Sequence, residues 1–335
     1  MNDRSRLGPS GCHGSQLRGR GAGTAGLIGL VTGGRSGERD RSLLSAEAVG
    51  AALRRQSLRY ARLDPCDEEF ADRIRAFDVA FLAIAGQWAE DGKLQGMLES
   101  LGVPYTGSGV LASALAMHKP TAKEVVSAAG VNVLPHTLVP GDGDPERTAQ
   151  ASSGSLGMPV ILKPCSEGGS IGMQVLRDTA TLAGALARSA GHGEWFIEPF
   201  TAGHSVTCGV LWRDGQLTTL PPLETLPTTA EFYDYAAKRN PGGHIYRCPA
   251  DVPEVVLAQI GQDALDAHRA LRCSGYSRSD FLVTPDGEVF WLEANTLPGL
   301  SEHGNLATMA RAARISYDEL IQSILANAQW DGYRP

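Results

Sequence analysis

The chain carries the stretch RSDFLVTPDGEVFWLEANTLPG at residues 278–299. Apolar and polar residues alternate on both sides of Asp286-Gly287, which is typical of two antiparallel strands joined by a two-residue turn. Such a turn sets the register of the hairpin and places Asp280 directly opposite Glu293, with their Cβ atoms about 4.5–5.5 Å apart. The sequence therefore predicts two carboxylates side by side on one face of a sheet.

The same face of this hairpin carries Arg278 and Asn295, because side chains alternate between the two faces of a strand. Opposed like charges destabilise a sheet, so the two carboxylates need a cation. Carboxylate and amide oxygens suit Mg²⁺ that bridges nucleotide phosphates, and the arginine can hold developing negative charge. A solvated hairpin face is the other interpretation, but Trp291 and Leu282, predicted on this face, favour burial.

Length and composition indicate a multidomain globular protein. The chain has 335 residues, 42% of them hydrophobic and 20% charged, which is enough for a large core and two or three domains. Acidic residues outnumber basic ones by 37 to 30, and the net charge of −7 argues against a nucleic-acid binder that works through a global positive field. We expect small-molecule partners and no nucleic acid.

Cysteine usage and the lack of long apolar segments predict a cytoplasmic protein with no membrane partner. The six cysteines show no C-x-x-C spacing, which argues against a zinc site or a disulfide framework and indicates free thiols in a reducing compartment. No run approaches the roughly 18 apolar residues of a membrane span, and residues 1–24 lack the apolar core of a signal peptide. That leader is rich in Arg, Gly and Ser, so we expect it to be disordered.

The first hundred residues alternate between strand and helix patterns. The apolar run AGLIGLVT at residues 25–32 precedes a glycine loop at 33–38 and a helical pattern, and FDVAFLAIAG at 77–86 is predicted to be a second buried strand. This order is typical of an α/β unit with a parallel sheet, whose ligands bind beyond the carboxyl ends of the strands, where 33–38 and 86–91 fall. The loop at 33–38 lacks the G-x-G-x-x-G pattern of dinucleotide dehydrogenases, and its Glu38 is suited to binding an ammonium.

The rest of the chain is predicted to mix helices with antiparallel strands. A helix at residues 119–129 leads into a polar linker at 140–157 and then into two strands, within 158–176, separated by a Ser/Gly loop. A further strand pair is expected around WFIEPF and SVTCGVLWRDGQL, and the long polar stretch at 225–243 is typical of a lid.

The Ser/Gly loop at residues 166–172 begins three residues after Lys163 and resembles a flexible cover over a polyanion. Taken alone, such a loop is as often a surface turn as a phosphate loop, and the chain has no Walker A pattern. Its context favours phosphate, because Lys163, Lys119 and Lys238 can each supply an ammonium.

The chain contains, in this order, the segments GGRSGERDRSLLSA, AEDGKLQGMLESLGVPYTGSGVLASALAMHK, VILKPCSEGGSIGM, FYDYAAK and LEANTLPGL. Together they resemble the D-alanine:D-alanine ligases of the ATP-grasp superfamily over residues 27–325. The resemblance implies an α/β and α+β fold class, in which an N-terminal parallel α/β domain (Rossmann-like, pre-ATP-grasp) precedes a two-subdomain ATP-grasp fold. It also implies a homodimer through the first domain.

The resemblance divides the chain into four parts. They are a disordered tail, an N-terminal α/β substrate domain, a central ATP-grasp subdomain, and a C-terminal ATP-grasp subdomain with the lid loop and metal site, at residues 1–24, 25–117, 118–202 and 203–330 respectively.

Enzymes of this kind use ATP to phosphorylate the carboxylate of one amino acid, and the amine of a second amino acid attacks the acyl phosphate. The resemblance places two Mg²⁺ ions, with Mn²⁺ as an alternative, at Asp280, Glu293 and Asn295. It places the ATP phosphates against Lys119, Lys163 and Lys238, and it places the adenine against Glu198. The loop glycines Gly168 and Gly169 also belong to the implied ATP site. Glu38 would hold the ammonium of the first substrate, and Arg278 would stabilise the tetrahedral oxyanion.

Several departures from the family pattern lie on the amino-acid side. Ala85 stands where the family usually has a catalytic-site histidine. Gly169 replaces a serine, although Ser170 follows it, and Arg239 replaces a tyrosine. In the family that serine and tyrosine bond each other and the glutamate matched by Glu38, which latches the lid. Here we expect an ion pair between Arg239 and Glu38, and both Ser170 and Arg239 are catalytic candidates.

Three further departures concern substrate pockets. Gly304-Asn305 replaces a serine and a leucine that meet the second substrate's carboxylate, Ser205 replaces an acidic ribose ligand, and Arg41 replaces a small apolar residue near the first subsite. Each lost hydrogen-bond partner costs roughly 1–3 kcal/mol, so several such losses would cripple an unchanged reaction. Apart from Ser205, the ATP and Mg²⁺ side is intact.

These observations leave three hypotheses. The main one is an ATP-dependent carboxylate-amine ligase with altered substrates, which a panel without D-alanine would reveal. The second is a genuine D-alanine:D-alanine ligase of peptidoglycan biosynthesis, which would turn over D-alanine alone. The third is a non-catalytic ATP-binding regulator, which would bind ATP without hydrolysing it in any amino-acid mixture.

Overall fold

The structure, a computed structural model, describes residues 26–169, 171–227 and 244–329. The described helices are α1 (Arg39–Arg55), α2 (Phe70–Ile74), α3 (Lys93–Ser100), α4 (Val110–Met117), α5 (Lys119–Ala128), α6 (Pro145–Leu156), α7 (Thr179–Ser189), α8 (Glu254–Ala270), α9 (Asn305–Ala312) and α10 (Tyr317–Ala326). The described strands are β1 (Ile28–Val31), β2 (Tyr60–Leu63), β3 (Val79–Leu82), β4 (Thr137–Leu138), β5 (Val160–Pro164), β6 (Gln174–Leu176), β7 (Trp195–Pro199), β8 (His204–Arg213), β9 (Gln216–Thr219), β10 (Leu223–Pro227), β11 (His244–Arg247), β12 (Tyr276–Val283) and β13 (Val289–Asn295).

The N-terminal unit contains a parallel sheet in the order β2-β1-β3, as the alternation of strand and helix patterns predicts. All of β1 is buried, in agreement with its uninterrupted apolar run. Strand β2 escaped sequence analysis because Leu63 is its single fully buried residue and YARL shows no apolar run. The loops at 33–38 and 86–91 follow β1 and β3, so both lie beyond the carboxyl edge of the sheet, as predicted.

The polar linker predicted at residues 140–157 is wrong, because helix α6 occupies most of it. Asp144 caps the helix by accepting a hydrogen bond from the Arg147 backbone N–H at 2.8 Å, and Pro145 sits in the first turn, where its missing N–H is harmless. The helix needs few apolar residues because it buries only a narrow stripe around Ala149. The capping hydrogen bond and the proline therefore favour a helix in this segment despite its polar composition.

Strands β7 and β8, predicted as a pair, lie in different antiparallel sheets. Strand β7 pairs with β5 in the four-stranded sheet β4-β7-β5-β6. Strand β8 lies in the six-stranded sheet, in the order β11-β10-β8-β12-β13 with β9 also beside β8. It pairs with β12 from Leu211, opposite Tyr276, to His204, opposite Val283. This long-range pairing over most of the strand prevails over the local pairing that a short connection favours.

The hairpin of β12 and β13 closes with a three-residue loop, at residues 285–287, so the predicted two-residue turn is wrong. Gly287 in this loop has a positive φ of 86°, a conformation that glycine adopts without a steric penalty. The longer loop shifts the pairing by one residue near the turn, and a β-bulge between Asp280 and Phe281 shifts it back. The predicted pairing of Asp280 with Glu293 is therefore confirmed.

The bulge turns Trp291 away from the carboxylates, so its predicted place on their face is wrong. Trp291 pairs with Phe281, and its indole N–H donates to the Ser279 hydroxyl at 3.0 Å on the opposite, buried face. Leu282 remains on the carboxylate face. The sheet thus presents one face with acidic groups and one apolar face to the core.

Each of the three sheets lies within one of the predicted domains, whose boundaries stay predictions. The described cysteines, at positions 66, 165, 208, 248 and 273, are free thiols, as predicted. None of the described helices is long and apolar enough to cross a lipid bilayer. The leader at 1–24 lies outside the described residues. Of the lid predicted at 225–243, residues 225–227 form the end of β10, and the rest also lies outside the described residues.

Candidate active site

A cavity of about 1000 Å³ is lined by residues of the N-terminal unit and of both antiparallel sheets. The predicted site residues that line it are Glu38, Lys119, Lys163, Gly169, Glu198, Arg278, Asp280, Glu293 and Asn295. Gly168 belongs to the same loop as Gly169. Ser170, Lys238 and Arg239 lie outside the described residues. The cavity therefore gathers residues that are far apart in the sequence.

The carboxylate face of the β12–β13 hairpin is surrounded by cationic and hydroxyl groups. Arg278 donates to both oxygens of Asp280, through Nε at 2.8 Å and Nη2 at 2.9 Å. The Thr207 hydroxyl donates to Asp280 Oδ1 at 2.6 Å, and Lys119 Nζ lies 3.2 Å from Glu293 Oε2. Burial tends to lower the pKa of Arg278, but the charge and hydrogen bonds of Asp280, together with the charge of Glu293, outweigh burial and the pKa is raised. The guanidinium is therefore firmly charged.

The oxygen donors on this face fit Mg²⁺. Asp280 and Glu293 occupy directly paired positions, and Asn295 follows two residues later on β13. The described part of the chain holds no group of three or more His, Cys, Asp or Glu side chains suited to a metal ion, and the Asn295 amide offers an oxygen beside the two carboxylates. Asn295 Nδ2 is buried and lacks a hydrogen-bond partner among the described residues, which indicates that this N–H group needs a further hydrogen-bond acceptor at the site.

Glu198 on β7 lies between two lysines. Its Oε1 pairs with Lys163 Nζ, and its Oε2 lies 2.9 Å from Lys123 Nζ. Burial alone would raise the pKa of Glu198, but the two ammonium groups outweigh burial and lower the pKa to about 2. The carboxylate is therefore ionised and paired, and its contact with adenine stays a prediction.

Sequence analysis missed Lys123, whose side chain is 1% exposed. Burial lowers its pKa, and the charge of Glu198 opposes that effect. A signal for it was present, because Lys119 and Lys123 are four residues apart on α5 and therefore share one face of the helix. Because Lys119 is a candidate for phosphate binding, Lys123 on the same helix face is a candidate residue of the site as well.

The Ser/Gly loop at residues 166–172, predicted to bind phosphate, follows β5 and packs against the N-terminal unit. Lys119 Nζ donates to the Glu167 carbonyl, and Gln87 Nε2 donates to Glu167 Oε1 at 2.6 Å. A Cβ added at Gly168 would lie 2.5 Å from Glu38 Oε2, so a side chain there would push the loop away from Glu38. Glycine permits this close approach of loop and carboxylate.

Glu38 lies at the N-terminus of α1 and faces the cavity. Its Oε1 accepts a hydrogen bond from Arg41 Nη1 at 3.2 Å. The ion pair expected between Glu38 and Arg239 stays a prediction, since Arg239 lies outside the described residues. The cation that the described residues place on Glu38 is Arg41, one of the departures from the family pattern.

Glu90 is a residue of the site that sequence analysis did not single out. The Gly86 N–H donates to its carboxyl group, and the Leu297 backbone also bonds it. Burial and the nearby charge of Glu38 raise the pKa of Glu90 to about 8, although Arg278 partly opposes them. Glu90 is therefore largely protonated at neutral pH. Its sequence signal was a carboxylate just after β3, at the edge where ligands bind.

The described departures from the family pattern all line this same cavity. They are Arg41, Ala85, Gly169, Ser205, Gly304 and Asn305. These positions are thus placed to meet a bound molecule rather than to alter the core or the outer surface.

Comparison with known proteins assigns the family. The family model described as D-ala D-ala ligase C-terminus matches residues 125–326, and that described as D-ala D-ala ligase N-terminus matches 60–108. A D-alanine–D-alanine ligase of Anaeromyxobacter sp. (strain Fw109-5) is 40% identical over 306 residues, which cover 90% of this chain and 96% of the relative. The chain belongs to the D-alanine–D-alanine ligase family.

Other D-alanine–D-alanine ligases and their solved structures agree with this assignment. The ligase of Syntrophobacter fumaroxidans is 39% identical, over 91% of this chain and 98% of the relative. The structure of the Bacillus anthracis ligase complexed with ATP has a TM-score of 0.76 at 27% identity, over 90% of this chain and 97% of that chain. The VanG D-Ala:D-Ser ligase from Enterococcus faecalis has a TM-score of 0.76 at 25% identity, over 90% and 99%.

D-alanine–D-alanine ligases are ATP-dependent enzymes that form a peptide bond and release ADP and phosphate, and this chain is an enzyme of that class. The resemblance, the ATP-grasp fold and the ligase class predicted from the sequence are confirmed. These predictions rest on sequence motifs that are spread over residues 27–325 and occur in the order typical of the family.

Proposed function

We propose that this ligase joins two amino acids or amino-acid-like substrates through an acyl phosphate and that at least one of them differs from D-alanine. The position of the described departures carries the proposal, because they line the cavity and, apart from Ser205, belong to the amino-acid side. Apart from Gly169, the residues assigned to ATP and metal keep the family pattern. A protein that had lost catalysis would have no reason to keep them.

On the nucleotide side, Lys119 and Lys163 bind phosphate oxygens of ATP beneath the loop that contains Gly168 and Gly169. Lys163 exchanges its bond with Glu198 for a phosphate when ATP enters. Lys123 and Glu198 complete this side, with Lys123 balancing the charge of Glu198. Lys238 is the third lysine that we propose to bind phosphate.

On the metal side, Asp280, Glu293 and Asn295 would hold two Mg²⁺ ions, with Mn²⁺ as an alternative. A metal held there would supply positive charge that offsets the charge of the phosphate groups. The two carboxylates keep an organised geometry through Arg278, Thr207 and Lys119, as the described contacts support.

On the amino-acid side, Glu38 holds the ammonium of the first substrate. The carboxylate of that substrate attacks the γ-phosphorus and ADP leaves; the amine of the second substrate then attacks the acyl carbon and phosphate leaves. Arg278 stabilises the oxyanion of the tetrahedral intermediate, and its bidentate bond to Asp280 holds the guanidinium in place beforehand. Ser170 and Arg239 act on the same side as part of the lid latch.

A genuine D-alanine–D-alanine ligase is the second candidate. The 40% identity with curated relatives over nearly the whole chain favours it. The similar VanG protein is described as a D-Ala:D-Ser ligase, however, so the fold does accommodate a substrate other than D-alanine in that relative. The homodimer and the cytoplasmic location stay predictions under both candidates.

Phosphate release from Mg-ATP tests both candidates. The purified protein is assayed with D-alanine alone and then with a panel of other amino acids and amines. Release with pairs that include another substrate, at higher kcat/KM than with D-alanine, is the expected result. Efficient release with D-alanine alone would establish the second candidate. If the protein binds ATP but releases no phosphate with any mixture, the result would indicate the non-catalytic regulator and contradict the proposal.

A further inference from the structure

A guanidinium projects into the amino-acid end of the cavity from the first turn of α1. Arg41 lines the cavity, is 45% exposed, and donates to Glu38 through Nη1 at 3.2 Å. Glu38 is only 12% exposed. The same turn in the family resemblance carries a small apolar residue, so this cation is a feature of the present chain.

The position of Arg41 is set by a carboxylate that cannot easily move. A Cβ added at Gly86 would lie 3.1 Å from Glu38 Oε2, and one added at Gly168 would lie 2.5 Å from the same atom. Two backbone segments therefore confine Glu38 from the side of Oε2, while Arg41 is bonded to Oε1. A guanidinium has five N–H donors in a planar fork, so the same group can bond Glu38 and a second carboxylate.

Arg278 and Glu90 add little net charge at this end of the cavity. Arg278 is bonded bidentately to Asp280, and the raised pKa of Glu90 keeps that group largely uncharged at neutral pH. Asp40 also lines the cavity, so the turn is not a net positive patch. Recognition by Arg41 must therefore be a short-range, directional bond rather than attraction by a general positive field.

We propose that Arg41 makes the first-substrate pocket select an amino acid that carries a second carboxylate. This inference rests on the proposed function and names its substrate class. The α-ammonium of the substrate pairs with Glu38, and its side-chain carboxylate pairs with Arg41, so each group of the ion pair gains a partner of opposite charge. A methyl side chain would desolvate part of the guanidinium and return no hydrogen bond.

The first half-reaction can be isolated with hydroxylamine. The first substrate's carboxylate takes the γ-phosphoryl group of ATP and ADP leaves; hydroxylamine then attacks the acyl carbon, releasing phosphate and forming a hydroxamate. The substrates are aspartate and glutamate, their neutral isosteres asparagine and glutamine, and alanine, each as both enantiomers. We expect kcat/KM for the better acid to exceed that for its amide and for alanine by roughly tenfold or more.

Two variants separate selection from mere positioning of Glu38. Arg41→Ala should remove the preference for acid over amide by lowering kcat/KM for the acid far more than kcat/KM for alanine. Arg54→Ala, on the same helix but bonded to Tyr60 outside the cavity, should keep the wild-type preference. A structural role of Arg41 would instead lower kcat/KM for all substrates by one common factor, and this outcome would overturn the inference.

The wild-type preference tests the inference even if Arg41→Ala does not fold. Equal or better activity with alanine or with the amides would overturn it and leave the ligase assignment standing. No hydroxamate and no phosphate release with any acid, in a protein that still binds Mg-ATP, would instead contradict the proposed function.

Discussion

The carboxyl group of Glu90 lies near the carboxylate of Glu38 and the guanidinium of Arg278, and its pKa of about 8 exceeds the ordinary value of 4.5. Because the folded protein holds this proton more tightly than the unfolded chain, the free energy of unfolding should fall as pH rises from about 4.5 to about 8. We predict that Glu90→Gln removes this part of the pH dependence. The measurement is the midpoint of thermal unfolding across that range of pH.

Glu47→Gln is the matched control for this prediction, because Glu47 is exposed on α1. It should follow the wild-type dependence on pH. Parallel curves for wild type and Glu90→Gln would show that Glu90 is not protonated in the folded protein at neutral pH.

Also at the scale of residues, Glu293 is predicted to be a metal ligand. Glu293→Gln should reduce ATP turnover by about 100-fold or more, since a neutral amide is a poorer Mg²⁺ ligand than a carboxylate. Glu288→Gln, an exposed change in the same hairpin, should leave turnover near wild type. Phosphate release at saturating Mg-ATP measures both, and unchanged turnover by Glu293→Gln would refute the metal assignment.

At the scale of elements, the contact between the phosphate loop and the start of α1 depends on the absence of a side chain. Gly168→Ala places a Cβ 2.5 Å from Glu38 Oε2, so the loop must move away. We expect kcat/KM to fall roughly 10- to 100-fold with little change in the unfolding midpoint, because misplacing a catalytic loop impairs the reaction more than the fold.

Gly154→Ala provides the control for the loop variant, because a Cβ there meets no atom within 4 Å and the residue lies within helix α6. It should leave activity unchanged and stabilise the protein slightly, by about 0.5–1 kcal/mol. Wild-type activity of Gly168→Ala would mean that the tight contact with Glu38 has no part in catalysis.

Helix α6 carries a prediction about stability alone. Asp144→Ala removes the hydrogen bond from the Arg147 N–H at the helix start and should lower the free energy of unfolding by about 1 kcal/mol. Asp142→Ala, an exposed change in the preceding turn, should have a smaller effect. Urea unfolding measures both, and equal losses would show that the cap contributes nothing specific.

At the scale of the whole molecule, the cavity is lined by the N-terminal unit and both antiparallel sheets, so a ligand bound there connects all three. Mg-ATP should stabilise the folded protein by about 2.7 kcal/mol at a concentration 100 times its Kd. Excess EDTA should remove most of this stabilisation, because phosphate binding depends on the metal face. Thermal unfolding with ATP, with and without EDTA, checks this, and an equal shift in both would argue against metal-dependent binding.

The amount that sequence could predict differs between the two sides of the site. The pairing of Asp280 with Glu293 was predictable because strand alternation and a turn are local rules. Even there the structure reaches the pairing by another route, through a longer loop and a compensating bulge. Trp291 was assigned to the wrong face for the same reason, since a single added residue reverses every side chain beyond it.

By itself, the sequence determined the parallel N-terminal sheet, the hairpin with its paired acids, the lysines beside a glycine loop and the ligase family. These features depend on spacing within short segments and on motifs that can be compared directly. The tertiary structure alone decided that Lys123 and Lys163 flank Glu198 and that Glu90 holds its proton. Those properties arise from burial and from charges brought close by folding, and electrostatic interactions in a dehydrated cavity depend on distances that no linear pattern contains.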